Sequence, residues 1–137
     1  MTSTNPMVSV ILPTYNRADM LSRALQSIIS QTYQDFEIIV VNDAGENVDY
    51  IINTLHHQDK IYSITHEVNK GLAAARNTGI RAARGKYIAY LDDDDIFYPR
   101  HLETLCNFLD NSEYRIAYTD TYKAQHEMKD GKYYLKH

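Results

Sequence analysis

The sequence predicts an α/β fold in which a mostly parallel sheet is flanked by helices on both faces. Two observations carry this. Short β-branched or apolar runs alternate about five times with segments whose apolar residues fall at helical spacing, the order expected of successive strand–helix–strand units. The runs are also apolar throughout rather than at every second residue, as strands buried on both faces are.

Val8-Ser9-Val10-Ile11-Leu12 reads as the first strand, with Pro13 breaking the ladder after it. Leu21, Ala24, Leu25, Ile28 and Ile29 then mark a helix, with Asp19 in its first turn. Glu37 to Val41 is a second strand, ended by the turn Asn42-Asp43-Ala44-Gly45. A helix over Val48 to Leu55 and a third strand over Ile61 to Thr65 follow. Leu72, Ala75, Gly79, Ile80 and Ala83 share one face of the next helix, which Gly85 is placed to close. Tyr87 to Leu91 is a fourth strand, Pro99 opens a helix marked by Leu102, Leu105, Cys106 and Leu109, and Ile116-Ala117-Tyr118 predicts a short fifth strand. In the polar, tyrosine-rich tail, Asp130-Gly131 predicts a hairpin.

Composition narrows the function. At 137 residues the chain is expected to be a single domain. Fourteen Lys and Arg against 18 Asp and Glu leave no basic surplus to neutralise phosphates, which excludes a general nucleic-acid binder. The one cysteine, Cys106, excludes an internal disulfide and paired-thiol metal sites. MTSTNPM lacks the features of a signal peptide, and no apolar run approaches the roughly 20 residues that span a bilayer. The expectation is a cytoplasmic protein, at most peripheral to a membrane.

In open parallel sheets, ligands bind outside the carboxyl ends of the strands. Three unusual clusters sit at such ends: Thr14-Tyr15-Asn16-Arg17, Asn42-Asp43, and Asp92 to Asp95. Neighbouring carboxylates repel one another unless a cation is present, and hard oxygen ligands suit Mg²⁺ or Mn²⁺ completed by water and phosphate. Arg17 and Arg76 would add positive charge, Tyr15 a ring for stacking, and Asp43 an acceptor for base or ribose. Singly, each has a plainer reading. An acidic run is usually a solvated loop, Asp43 a turn residue, Thr14 to Arg17 a helix cap, and Arg76 a surface side chain. The six histidines show no ligand spacing and read as surface. The coincidence of several clusters at one sheet edge is what the plainer readings leave unexplained.

Four blocks resemble glycosyltransferase family 2, whose members have the Rossmann-like GT-A fold. They are Val8 to Arg17, Glu37 to Asp43, Asn69 to Gly79 and Gly85 to Asp95, in the family's order and spacing, and the similarity runs over roughly residues 7 to 120. The resemblance implies that Pro13, Thr14, Tyr15 and Arg17 line the nucleobase pocket and that Asp43 contacts the base, normally uracil. It implies that Asn69 and Arg76 close the far side of the nucleotide. The family's Asp-x-Asp motif falls on Asp92-Asp93-Asp94, with Asp93 near the ribose and Asp94 on the metal. The implied reaction is inverting transfer of a sugar from a nucleotide-diphosphate donor, UDP-linked by expectation, to a hydroxyl of a carbohydrate, lipid-linked or protein acceptor, with Mg²⁺ or Mn²⁺ as cofactor.

No residue here matches the family's catalytic base, which is expected beyond His137. Asp120, after the expected fifth strand, is assigned no catalytic role. The favoured expectation is a donor-binding domain truncated on its acceptor side, and the alternative is a nucleotide-sugar-binding module without transfer activity of its own. A nucleotidyltransferase fits poorly, because Pro13-Thr14-Tyr15-Asn16 is not a glycine-rich, basic phosphate loop.

Overall fold

The computed structural model describes residues 4–135, so Met1 to Ser3 of the N-terminal reading lie outside the described residues. The chain divides into two compact units, 1–104 and 105–137.

The first unit holds a four-stranded parallel sheet. Its strands are β1 (Val8–Thr14), β2 (Phe36–Asn42), β3 (Ile61–Thr65) and β4 (Tyr87–Tyr90), in the order β3-β2-β1-β4. The two central strands are buried at every position, while the edge strands β3 and β4 are partly exposed, so only the central pair is covered on both faces along its length. Helix α1 (Ala18–Ile29) buries the five residues its spacing predicts. Helix α2 (Asp49–Asn53) is shorter than expected, and a single 3-10 turn, Gln58–Lys60, leads into β3.

Helix α3 (Leu72–Ala82) packs Ala75 on Ile11, Ile39 and Val41, with Ile64, Ile80 and Ala83 around them. These sheet residues are odd-numbered in β1 and β2, so the buried even-numbered residues Val10, Leu12, Ile38 and Val40 form the opposite face. Right-handed crossovers put α1 on that face, because the chain moves outward from β1 to β3 and then returns past β1 to reach β4. Leu72, expected on the inner face of α3, is exposed at the helix's first turn.

Two local expectations are corrected. Pro13 lies inside β1, paired with Val41 of β2, whereas the β1–β4 pairing stops at Ile11 and Tyr90. Backbone groups of odd-numbered β1 residues face β4, as the Leu91 N–H to Ile11 C=O bond shows. A proline at 13 therefore breaks the ladder on the β4 side alone. Gly85 does not close α3, which ends at Ala82. It is needed for close approach: a Cβ there would lie 2.6 Å from the Ser9 backbone nitrogen.

Helix α4 (His101–Asp110) runs from the first unit into the second. The second unit ends in a hairpin of β5 (His126–Lys129) and β6 (Lys132–Leu135), antiparallel, with His126 opposite Leu135. Asp130 and Gly131 have φ of 52° and 74°, the double left-handed turn the sequence predicts. The fifth strand expected at Ile116 to Tyr118 does not form; Ile116 and Tyr118 are exposed, and neither sheet takes the run into its ladder.

Candidate functional site

The switch point of the sheet is the crevice between β1 and β4, where chain order reverses, and the Thr14 to Arg17 and Asp92 to Asp95 clusters meet there. Asp92 to Asp95 form a tight turn closed by a bond from the Asp95 N–H to the Asp92 carbonyl. The turn sorts the four carboxylates. Asp93 points inward, buried, and accepts from Thr14 Oγ1 at 2.8 Å and from Arg17 Nη1 at 3.2 Å. Asp92, Asp94 and Asp95 each place a carboxylate oxygen within 4.8 Å of the others. Partial desolvation, followed by the charges of Asp94, Asp92 and Asp93, pushes the Asp95 carboxyl above the ordinary range.

Two arginines balance this charge. Arg17 Nη1 also bonds Asp94 at 3.0 Å, and Arg76 Nη2 bonds Asp92 at 2.7 Å. Arg76 Nε is buried and has no hydrogen-bond partner among the described residues. The capping reading of Thr14 to Arg17 is therefore set aside: α1 has no side-chain cap, and both side chains reach across to the acidic turn. Tyr15 is about half exposed beside them.

A second cluster gathers where β2 ends. Asp43, buried, accepts from the Lys70 N–H at 2.8 Å and from His66 Nδ1 at 2.7 Å on Oδ1, and from the Gly71 N–H at 2.7 Å on Oδ2. Asn69 Nδ2 bonds the Asp43 carbonyl. Burial pushes the Asp43 carboxyl up, but the bonds from His66, Lys70 and Gly71 outweigh it and hold the group below its ordinary value. The flanking loops are tied together as well. Asn42 bonds Gly45 and Glu46, and Asn16 Oδ1 accepts from the Glu46 N–H. Asn16 and Ala44 hold left-handed backbones, with φ of 51° and 63°, a conformation that costs a non-glycine residue about 1 kcal/mol or more.

Sequence reasoning missed His66 and Gln31, and it placed Asp95 in the acidic cluster without a role of its own. His66, taken for a surface histidine, is buried between Asp43 and Thr78; its position directly after a strand end was the available signal. Asp95 joins the convergent carboxylates only because the turn closes. Gln31, buried beyond α1, bonds the Tyr98 carbonyl and the Leu102 N–H and so anchors the chain downstream of the acidic turn. A buried glutamine announces itself in no local pattern.

The opposite end of the sheet holds a separate network. Glu37, buried, accepts from Ser9 and from the backbone and guanidinium of Arg84. Burial raises its carboxyl, and these donors together lower it further than burial raises it.

Comparison with known proteins gives a consistent picture. The model of a family described as "Glycosyl transferase family 2" matches residues 9–136. An uncharacterized glycosyltransferase of Rickettsia bellii is 38% identical over 123 residues, 89% of this chain and 18% of that protein. The uncharacterized glycosyltransferase YwdF of Bacillus subtilis is 38% identical over 127 residues, 93% of this chain and 46% of that protein. The chain thus spans less than half the length of these curated relatives. Among solved structures, S. aureus TarS 1-349 in complex with UDP-GlcNAc has a TM-score of 0.70 at 27% identity, over 75% of this chain and 31% of that one. The mannosyltransferase PcManGT of Pyrobaculum calidifontis, in complex with GDP-Man and Mn²⁺, has a TM-score of 0.65 at 29% identity, over 78% and 32%. No helix among the described residues is long and apolar enough to cross a membrane.

Proposed function

The chain belongs to glycosyltransferase family 2, and on that premise we propose that it forms the donor-binding part of an enzyme that transfers a sugar from a nucleotide diphosphate, UDP foremost, to an acceptor hydroxyl with inversion. The observation that carries this is the acidic turn at the β1–β4 switch point, where Asp92, Asp94 and Asp95 bring carboxylate oxygens within 4.8 Å of one another. An all-oxygen donor set of this kind fits Mg²⁺ or Mn²⁺. Asp94, the most exposed of the turn's bonded aspartates, is the principal ligand in this reading, with Asp92 and Asp95 beside it. When bound, such a cation neutralises the diphosphate and stabilises it as a leaving group.

The chain's own residues then bind and orient. Tyr15 presents its half-exposed ring to the base, beside Pro13 and Thr14 at the end of β1. Asp43 Oδ2 carries one hydrogen bond and, as a carboxylate oxygen, accepts a second from a base N–H. Asn69 and Arg76 close the far side, where the partly exposed Arg76 guanidinium offers its outer N–H groups to phosphate or ribose oxygens. Asp93, fixed by Thr14 and Arg17, sits near the ribose and keeps the turn in register with β1. No residue of this chain is assigned as the base that takes the acceptor's proton. A second reading, a module that binds the donor without transferring the sugar, uses the same site.

Calorimetric titration of UDP, with and without Mn²⁺, tests the proposal. Binding that requires the metal and weakens at least about tenfold in Asp94→Ala supports it. Equal binding by both proteins, or none by either, removes the metal role assigned to the acidic turn.

A further inference from the structure

The Asp43 carboxylate has three hydrogen-bond donors among the described residues, and they are not equivalent. Lys70 and Gly71 offer backbone N–H groups from the loop before α3. His66 offers a ring fixed from two sides. Its backbone N–H bonds the Asn42 carbonyl, which extends the β2–β3 ladder by one residue, and its Nε2 meets Thr78 Oγ1 of α3 at 2.8 Å. The ring is buried and its Nδ1 stands 2.7 Å from Asp43 Oδ1. An ionised carboxylate has no hydrogen to give, so Nδ1 is the donor, and in the neutral ring Nε2 accepts from the Thr78 hydroxyl. His66 is therefore the donor that ties the Asp43 side chain to the sheet rather than to the loop.

We propose that His66 is a positioning residue for base selection, which locks Asp43 so that its second oxygen stands as a fixed acceptor for the incoming base. This rests on the nucleotide-binding reading above and deepens it. A fixed anionic acceptor favours bases that present an N–H at the matching edge, as uracil does at N3 and guanine at N1. It opposes cytosine and adenine, whose ring nitrogens present a lone pair there, because two acceptors facing each other leave both unpaired. A carboxylate held by the Lys70 and Gly71 N–H groups alone has one donor fewer against rotation and discriminates less, since it can turn further from an unfavourable edge. His66 then sets the ratio of affinities among nucleotides more than affinity in general.

The test is calorimetric titration of UDP, CDP, GDP and ADP into the protein with Mn²⁺, for the wild type, His66→Leu, His66→Asn and Thr78→Val, with circular dichroism to verify folding. The wild type is expected to prefer UDP to CDP. His66→Leu should lower that ratio roughly tenfold, whereas His66→Asn, which keeps an N–H near the Nδ1 position, should restore most of it. Thr78→Val retains the Asp43 contact but loosens the ring and should fall between, so it decides the matter if His66→Leu does not fold. Uniform weakening of all four nucleotides with the ratio unchanged would show that His66 only packs, and would overturn its role alone. Failure of the wild type to bind any of the four would overturn the nucleotide reading itself, and the role of His66 with it.

Discussion

At Asp95 the chain holds a carboxyl above its ordinary range, through partial desolvation first and then through the charges of Asp94, Asp92 and Asp93. A group raised in this way contributes stability that is fully present below its unfolded value and is lost as pH rises through the folded one. At neutral pH, without a cation, it opposes folding. Asp95→Asn should therefore raise the thermal midpoint of the metal-free protein, by roughly 1–2 °C given how exposed the turn is. The same substitution should reduce the further rise produced by Mn²⁺, since a charged ligand group is replaced by a neutral amide. Thermal scans of both proteins with and without metal check the two signs together. A midpoint that falls in the metal-free variant would show that Asp95 is tied into the turn by something stronger than the repulsion it feels.

Among the elements, β1 and its neighbours set where the site forms. Gly85 passes so near Ser9 that Gly85→Ala should cost about 1–3 kcal/mol through overpacking against the backbone, read by urea denaturation. The loss should not depend on Mn²⁺, because this contact is at the far end of the sheet from the acidic turn. The elements themselves were largely legible, because periodicity is local: α1 buries Leu21, Ala24, Leu25, Ile28 and Ile29, the residues its spacing selects. The strand-end position of Thr14, Asp43 and Asp92 was legible for the same reason. What escaped is what depends on partners distant in sequence. His66 is buried by Asp43 and Thr78, 23 and 12 residues away, and Gln31 by the loop at Tyr98, 67 residues away. Ile116 to Tyr118 failed in the other direction: an apolar run is a strand only where a ladder receives it. Pro13 shows both limits at once, since its sequence predicts a broken ladder but only the strand order tells on which side.

For the molecule as a whole, two buried carboxylates place the acid limit of stability. Asp43 and Glu37 both lie below their ordinary values, with hydrogen-bond donors outweighing burial. Groups lowered in this way contribute stability above their unfolded values, near 4, and lose it as pH falls through the folded ones. Unfolding free energy from urea titrations should hold between about pH 5 and 7 and decline below about pH 4. Glu37→Gln should flatten that decline without affecting nucleotide binding, because Glu37 lies at the end of the sheet away from β1's carboxyl terminus. The acidic turn at that terminus is already provided for. Arg17 holds Asp93 and Asp94, and Arg76 holds Asp92, so a ligand arriving there trades places with charge instead of filling a void. On the proposed function, a cation would take over the carboxylates and its accompanying phosphates the guanidiniums, the protein's own ions changing partners with little net charge transferred. Association of that kind would be an exchange, in which bare metal has to displace the arginines unaided while metal carried on a diphosphate brings them new anions. A site built that way would favour the pair over either ion alone.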